Sequence, residues 1–169
     1  MQSFLSGVAR VGELPFPEVP VPEDCFTLVE TEGFDADDQA TRLQHWKQEY
    51  TQLSCGPFQG RLNEMWFGNI QIFHEWTNQV LHQSGLPWDG SRTIGVAVDA
   101  DGEGVFSGTR LKRGSLFTLG CQQGLEFRTP RKLELFAVSV DAHIFREFSC
   151  AVWGWDAESR LTMSISAQF

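Results

Sequence analysis

The sequence predicts a mainly β domain, an antiparallel barrel or jelly roll with a few short helices. Apolar and polar residues alternate with a period of two over most of the stretch from Phe58 to Val140. Turn-forming residues, mainly Gly, Pro, Asn and Asp, separate these short runs. Aromatic residues make up 12% of the chain, including 14 Phe and 6 Trp, which is enough bulk to fill an interior. The length of 169 residues fits one such domain.

The first 33 residues are predicted to form a proline-rich arm. Four prolines lie close together, and each fixes φ and removes a backbone donor; they are Pro15, Pro17, Pro20 and Pro22. The composition fits an arm that lies over the domain or its partner, and equally an ill-ordered leader. Residues 26–29 have the apolar composition of an edge strand.

Two helices are predicted, over residues 36–50 and 141–149. Asp35 or Asp37 caps the first, in which apolar residues repeat at spacings of three and four; they are Ala40, Leu43, Trp46 and Tyr50. Asp141 caps the second, which carries Phe145 and Phe148 along one side. Residues 161–169 alternate between apolar and polar, which is a strand pattern.

The strands are predicted from the alternating runs. Residues 61–67 and 70–76 meet at Gly68-Asn69 and form a hairpin. Further runs, each bounded by turn residues, lie at 93–98, 104–107, 115–119, 125–128 and 133–140. Many short strands with few intervening helical segments favour antiparallel pairing.

Charge and cysteine content narrow the function. The net charge is −9, and residues 1–50 hold 10 acidic against 3 basic side chains. Because affinity for nucleic acid depends on Lys and Arg, this chain alone is not expected to bind DNA. The four cysteines are scattered and are predicted to be free thiols, which fits a cytoplasmic protein; they are Cys25, Cys55, Cys121 and Cys150. No apolar run approaches the roughly 18 residues of a membrane span, so no membrane partner is predicted.

Five segments, in the same order, resemble the N-terminal effector-binding domain of AraC-type transcription regulators, especially those similar to the ethanolamine-operon regulator. They are WKQEYTQLS (46–54), FHEWTNQ (73–79), GEGVFSG (102–108), LEFRTP (125–130) and VSVD (138–141). The resemblance covers about residues 34–148.

The resemblance implies a cupin-like barrel over residues 34–149 that binds a small-molecule effector and pairs two subunits into a homodimer. It also implies that DNA is bound only through a helix-turn-helix domain. The tail or linker at residues 150–169 is too short to hold such a domain, and its alternating pattern departs from a helical linker.

An enzyme is the alternative, because cupin-like folds also serve metal-dependent catalysis. The four histidines do not form the His-x-His pattern of metal-binding cupins. His74 and Glu75 are adjacent on a strand and therefore point to opposite faces. Gly-x-Ser-x-Gly is also absent from the sequence. We expect no catalytic residue, cofactor or metal, and keep a stand-alone cupin-like enzyme of small metabolites as the alternative.

The predicted effector site lies on the first hairpin. Glu64 and Trp66 share one face of its first strand, and Phe73 and Glu75 share one face of the second. Polar residues within an apolar alternating face indicate a binding pocket, although the sequence does not decide which face is internal. Arg128 is the candidate for contacting an anionic effector. Phe145 and Phe148 are the predicted dimerisation residues, because an apolar helix face needs a cover.

Overall fold

Within residues 26–157, which the computed structural model describes, eleven strands and two helices form two antiparallel sheets. In chain order the elements are β1 (Phe26–Gly33), α1 (Ala36–Ala40), β2 (Lys47–Gln52), β3 (Gly60–Phe67), β4 (Ile70–Thr77), β5 (Leu81–Leu86), β6 (Ser91–Ala100), β7 (Gly104–Phe106), β8 (Thr109–Leu111), β9 (Leu116–Gly120), β10 (Leu125–Arg128), β11 (Leu133–Asp141) and α2 (Ala142–Trp153). One sheet has the order β1-β3-β4-β11-β6-β9 and the other β2-β5-β10-β7-β8.

The hydrophobic core lies between the two sheets. Ala97, Leu119 and Leu135 of the six-stranded sheet meet Phe106 and Phe127 of the five-stranded sheet in one cluster. The alternating pattern of each strand supplies this core, because every second side chain points inward. The predicted mainly β, cupin-like architecture with few short helices is therefore confirmed.

The predicted hairpin is confirmed as β3 and β4, which turn at Gly68-Asn69. Gly68 has φ of +54°, a left-handed conformation that glycine adopts without steric cost. The other predicted runs correspond to β6, β7, β9, β10 and β11, each within a few residues of its bounds. The strands β2, β5 and β8 were not predicted.

The prediction of one helix over residues 36–50 is wrong. Asp35 caps α1, accepting hydrogen bonds from the backbone N–H groups of Asp37 and Asp38, but α1 ends at Ala40. His45 has φ of +64°, which no right-handed helix accommodates. From Lys47 the chain pairs with β5 as β2, so Tyr50 reaches the interior from a strand.

The second predicted helix is confirmed as α2 and extends further than predicted, to Trp153. The Asp141 side chain accepts hydrogen bonds from the N–H groups of His143 and Ile144 and so caps its start. No helix in the described part of the chain has the length and apolarity to cross a bilayer. The predicted arm up to residue 25 and the alternating run 161–169 lie outside the described residues.

Candidate functional site

The hairpin residues predicted for the site point into the space between the sheets. In the register of β3 and β4, Glu64 lies opposite Phe73, and Trp66 lies opposite Gln71. The inward residues of β4 are buried and those between them are half-buried, which settles the face that the sequence left open. Glu75 is also on this inner face, opposite Leu62 of β3.

A cavity of about 570 Å³ opens at the end of this space. Its wall combines the hairpin turn, the chain entering β2 and the loop between β5 and β6. The lining residues are His45, Lys47, Trp66, Asn69, Leu86, Pro87, Trp88, Asp89 and Cys121. Its volume and its mixture of aromatic, apolar and few polar groups are those of small-molecule sites in proteins.

Gln71 lies behind the cavity wall, fully buried, and holds three tryptophans in place. Its Oε1 accepts hydrogen bonds from Trp46 Nε1 at 2.9 Å and from Trp88 Nε1 at 3.1 Å. Its Nε2 donates to Glu64 Oε1 at 2.7 Å and to the Gln44 carbonyl at 3.2 Å. Both ends of the amide are thus saturated, which fixes one orientation of the side chain.

Glu64 completes this network from β3, and only 1% of its surface is exposed. Its Oε1 accepts from Trp66 Nε1 at 2.6 Å as well as from Gln71 Nε2. Its Oε2 accepts from the Gln44 backbone N–H at 3.3 Å. Charge-assisted hydrogen bonds of this kind are among the stronger ones in proteins, so the position of Trp66 is well determined.

The aromatic wall of the cavity is formed by Trp66 and Trp88. Their ring centroids lie 5.9 Å apart with an interplanar angle of 48°. The His45 ring meets Trp66 edge to face at 5.3 Å. Because His45 also has the uncommon positive φ, its backbone is strained at the rim of the cavity, as is frequent at functional sites.

Glu75 belongs to a separate buried polar cluster, beside the Glu64 network. Its Oε1 accepts from Gln39 Nε2 at 3.1 Å and from the Tyr50 hydroxyl at 3.2 Å. Burial raises the pKa of Glu75, and the hydrogen bonds from Gln39 and Tyr50 partly oppose this rise. Burial, and then the Glu75 charge, raise the pKa of Tyr50 well above its usual value.

Two amide atoms near Glu75 make no hydrogen bond within the described part of the chain. They are Gln39 Oε1 and Gln83 Nε2, both on buried side chains. Gln83 faces Glu75 closely enough to oppose the rise in its pKa, although the contact falls short of a hydrogen bond. This cluster is therefore less completely paired than the Glu64 network.

The other predicted residues occupy different places. Phe73 is core, with its ring against Trp46 at 5.6 Å. Arg128 is exposed on β10, where the inward neighbour is Phe127, so the structure does not bring it to the cavity. Phe145 is half-buried on α2, whereas Phe148 is 47% exposed.

Metal ligation was considered from the geometry of the described residues. His74 points to the outer face of its sheet and contacts Glu134 Oε1 at 2.7 Å, while Glu75 points inward, as the sequence predicted. Within residues 26–157, no group of three or more His, Cys, Asp and Glu side chains is arranged to hold a metal ion. The thiols of Cys55, Cys121 and Cys150 are unpaired there, and Cys25 lies outside those residues.

Sequence reasoning missed Gln71, His45 and Trp88. Gln71 carried a usable signal, because it shares the inward alternation of Phe73 and Glu75 and is polar. His45 and Trp88 lie in connecting segments, which have no periodicity to place them. Their contribution depends on how the loops meet at the end of the sheets.

Comparison with known proteins adds little to these observations. No protein-family model matches the chain. Among solved structures the chain is similar to that of protein Ylba from E. coli, of the family DUF861, with 14% sequence identity and a TM-score of 0.30. The match covers 72% of this chain and 48% of that one, so the chain spans about half the length of that structure. A likeness at this level carries no argument about ligand or activity.

Proposed function

We propose that this chain is the small-molecule-sensing and dimerisation domain of an AraC-type transcription regulator, coupling effector binding to control of DNA binding. The observation that carries the proposal is the cavity whose Trp66–Trp88 wall is fixed from behind by Glu64 and Gln71. Preorganised walls of this kind reduce the entropic cost of binding. The resemblance of the five sequence segments supports the regulatory role.

The connection between the cavity and α2 supports a sensing role. Asn69 lines the cavity, and its carbonyl accepts the Asp141 N–H at 3.2 Å. The Gly90 carbonyl, next to the lining residue Asp89, accepts the Ala142 N–H at 2.8 Å. Two segments of the rim are therefore bonded to the start of α2. A ligand that favours one arrangement of the rim would bias the position of this helix.

α2 is the element that we propose for dimerisation. Ser149 is its buried residue, whereas Ile144, Phe148 and Val152 form an exposed apolar stripe at intervals of four. The ring of Phe148 also meets Trp153 at 6.2 Å. An apolar helix face of this kind fits a two-fold interface in which both subunits present the same patch. DNA would be contacted through a helix-turn-helix domain outside these 169 residues.

A stand-alone cupin-like enzyme is the second candidate, favoured by the Glu75–Tyr50 pair. Two buried titratable groups with raised pKa values are typical of acid–base sites as well as of structural networks. Neither residue has been placed in a site with substrate, so catalysis remains the alternative. Elemental analysis and turnover assays of the purified protein discriminate, because a metal-dependent enzyme requires stoichiometric metal.

A thermal-shift screen with small metabolites tests the sensing function. A ligand present at 100 times its Kd should stabilise the wild type by about 2.7 kcal/mol. Trp66→Leu and Trp88→Leu should abolish this stabilisation, whereas Trp153→Leu, an exposed tryptophan on α2, should preserve it. In hydrogen exchange, the ligand should slow exchange of the Asp141 and Ala142 amides. A ligand whose effect survives both cavity variants would place the effector site elsewhere and contradict the proposal.

A further inference from the structure

The cavity wall offers aromatic faces and few free hydrogen-bonding groups. The indole N–H groups of Trp46, Trp66 and Trp88 all donate within the network described above. Gln71 uses both its oxygen and its nitrogen there. A ligand that rests on Trp66 and Trp88 therefore meets π surfaces, and the ligand's own N–H or O–H groups would find no acceptor on that wall.

A negative charge lies directly behind this wall. The three groups that donate to Glu64 are neutral: an indole, a side-chain amide and a backbone N–H. Within residues 26–157, no Lys, Arg or His forms an ion pair with Glu64. A buried carboxylate without a cation is costly, and its field is weakly screened by the surrounding protein.

The Trp66 ring transmits this charge towards the cavity. Its N–H donates to Glu64 at 2.6 Å, which polarises the indole and makes its face more electron-rich. Electron-rich indole faces are the preferred surfaces for organic cations. Two such faces, Trp66 and Trp88, line the cavity together.

The other charged side chains of the cavity offset one another. Lys47 and Asp89 are both exposed lining residues of opposite charge. The remaining charge, that of Glu64, is therefore the one that distinguishes a cationic from a neutral ligand.

We infer that the cavity binds a quaternary ammonium group, a methylated organic cation held against Trp66 and Trp88. This inference rests on the proposed function, in which the cavity is the effector site. A quaternary ammonium carries charge but no N–H group, so it matches a wall that presents π faces only. A primary ammonium carries three donors that this wall leaves unpaired, at a cost in affinity. The cavity of about 570 Å³ holds a compact ligand of this class.

Calorimetric titration with three probes of similar shape tests the inference. The probes are choline, its primary-amine analogue 2-aminoethanol and its neutral isostere 3,3-dimethylbutan-1-ol. We expect choline to bind the wild-type chain at least about tenfold more tightly than either of the others. Equal binding of choline and the neutral isostere would overturn the inference, as would no binding of choline.

Matched variants then separate the charge from the packing. Glu64→Gln keeps an acceptor for Trp66 but removes the charge, so it should weaken choline binding about threefold to tenfold and leave the neutral isostere unchanged. Trp88→Leu should weaken choline binding at least tenfold, and Trp88→Phe should weaken it less. Glu30→Gln and Trp153→Leu, at exposed positions outside the cavity, should behave as wild type.

The result also distinguishes this inference from the proposed function. If a neutral or anionic metabolite stabilises the protein through Trp66 and Trp88 while choline does not bind, the sensing function stands and the ligand class is wrong. Choline binding that is insensitive to both Glu64→Gln and Trp88→Leu would also overturn the inference.

Discussion

At the scale of single residues, Glu75 shows how one buried carboxyl affects stability. The carboxyl is held by Gln39 and by Tyr50, and burial raises its pKa above the usual value of 4.5. Because the folded-state pKa is raised, the stabilising contribution of the protonated form is fully present below pH 4.5. It is lost as the pH rises through the folded-state pKa, where the buried group must ionise.

Glu75→Gln should therefore stabilise the protein at neutral pH and have a smaller effect below pH 4.5. The variant amide stays neutral and can donate to Gln39 Oε1, which is otherwise unpaired within residues 26–157. A tenfold difference in the acid constant corresponds to about 1.4 kcal/mol in the free energy of unfolding. Urea unfolding from pH 4 to 8 measures the difference, with Glu49→Gln on exposed β2 as the control. A difference that grows towards acid pH would contradict this account.

Tyr50 provides an independent reading of the same variant, because it is the only tyrosine in the chain. Phenolate absorbance therefore reports this hydroxyl alone. The Glu75 charge is one of the causes that raise the pKa of Tyr50, so Glu75→Gln should lower this pKa. Burial is the larger cause, and the pKa should stay above 10.0 in the folded variant.

At the scale of elements, the contact between β2 and β5 depends on Gly85. Its φ is +150°, and a Cβ added there would lie 2.0 Å from the carbonyl oxygen of Lys47. Gly85→Ala should therefore push β2 away from β5 and reduce stability by at least about 2 kcal/mol. Urea unfolding should show this as a lower midpoint. Gly124→Ala, where a Cβ meets nothing within 4 Å, is the control and should change stability by less than about 0.5 kcal/mol. Equal midpoints for the two variants would refute the steric argument.

The elements also show what the sequence could predict. The alternation in β3, β4 and β11 identified those strands because one face of each is buried. β2 reads KQEYTQ, whose polar inward residues hide the period, so the spacing of Ala40, Leu43, Trp46 and Tyr50 suggested a helix instead. Tyr50 is on a strand because its hydroxyl reaches Glu75, a contact between distant parts of the chain. The site was predictable to the same degree: Glu64 and Trp66 on strands, but not Trp88 in a loop.

At the scale of the whole molecule, we expect a homodimer through α2. Sedimentation should show a dimer at micromolar concentration, and Phe148→Asp should convert it to a monomer by placing a charge within the apolar stripe. Val98→Asp, at a similarly exposed position on β6, is the control and should remain dimeric. The acidic net charge of −9 predicts that residues 1–169 give no gel shift with promoter DNA. A wild-type monomer would contradict the dimer, and a sequence-specific shift would contradict the sensory role.

The Glu64–Gln71 pair restricts how this protein can diverge. A change of Gln71 to Glu alone would set two carboxyl groups against each other at about the present 2.7 Å contact, and they would have to share a proton. A reciprocal exchange, Gln at 64 with Glu at 71, keeps acceptors for all three indoles and loses only the bonds to Gln44. Homologous sequences that retain the three tryptophans should therefore vary at positions 64 and 71 together, as a correlated pair, and a lone acidic residue at 71 should be selected against.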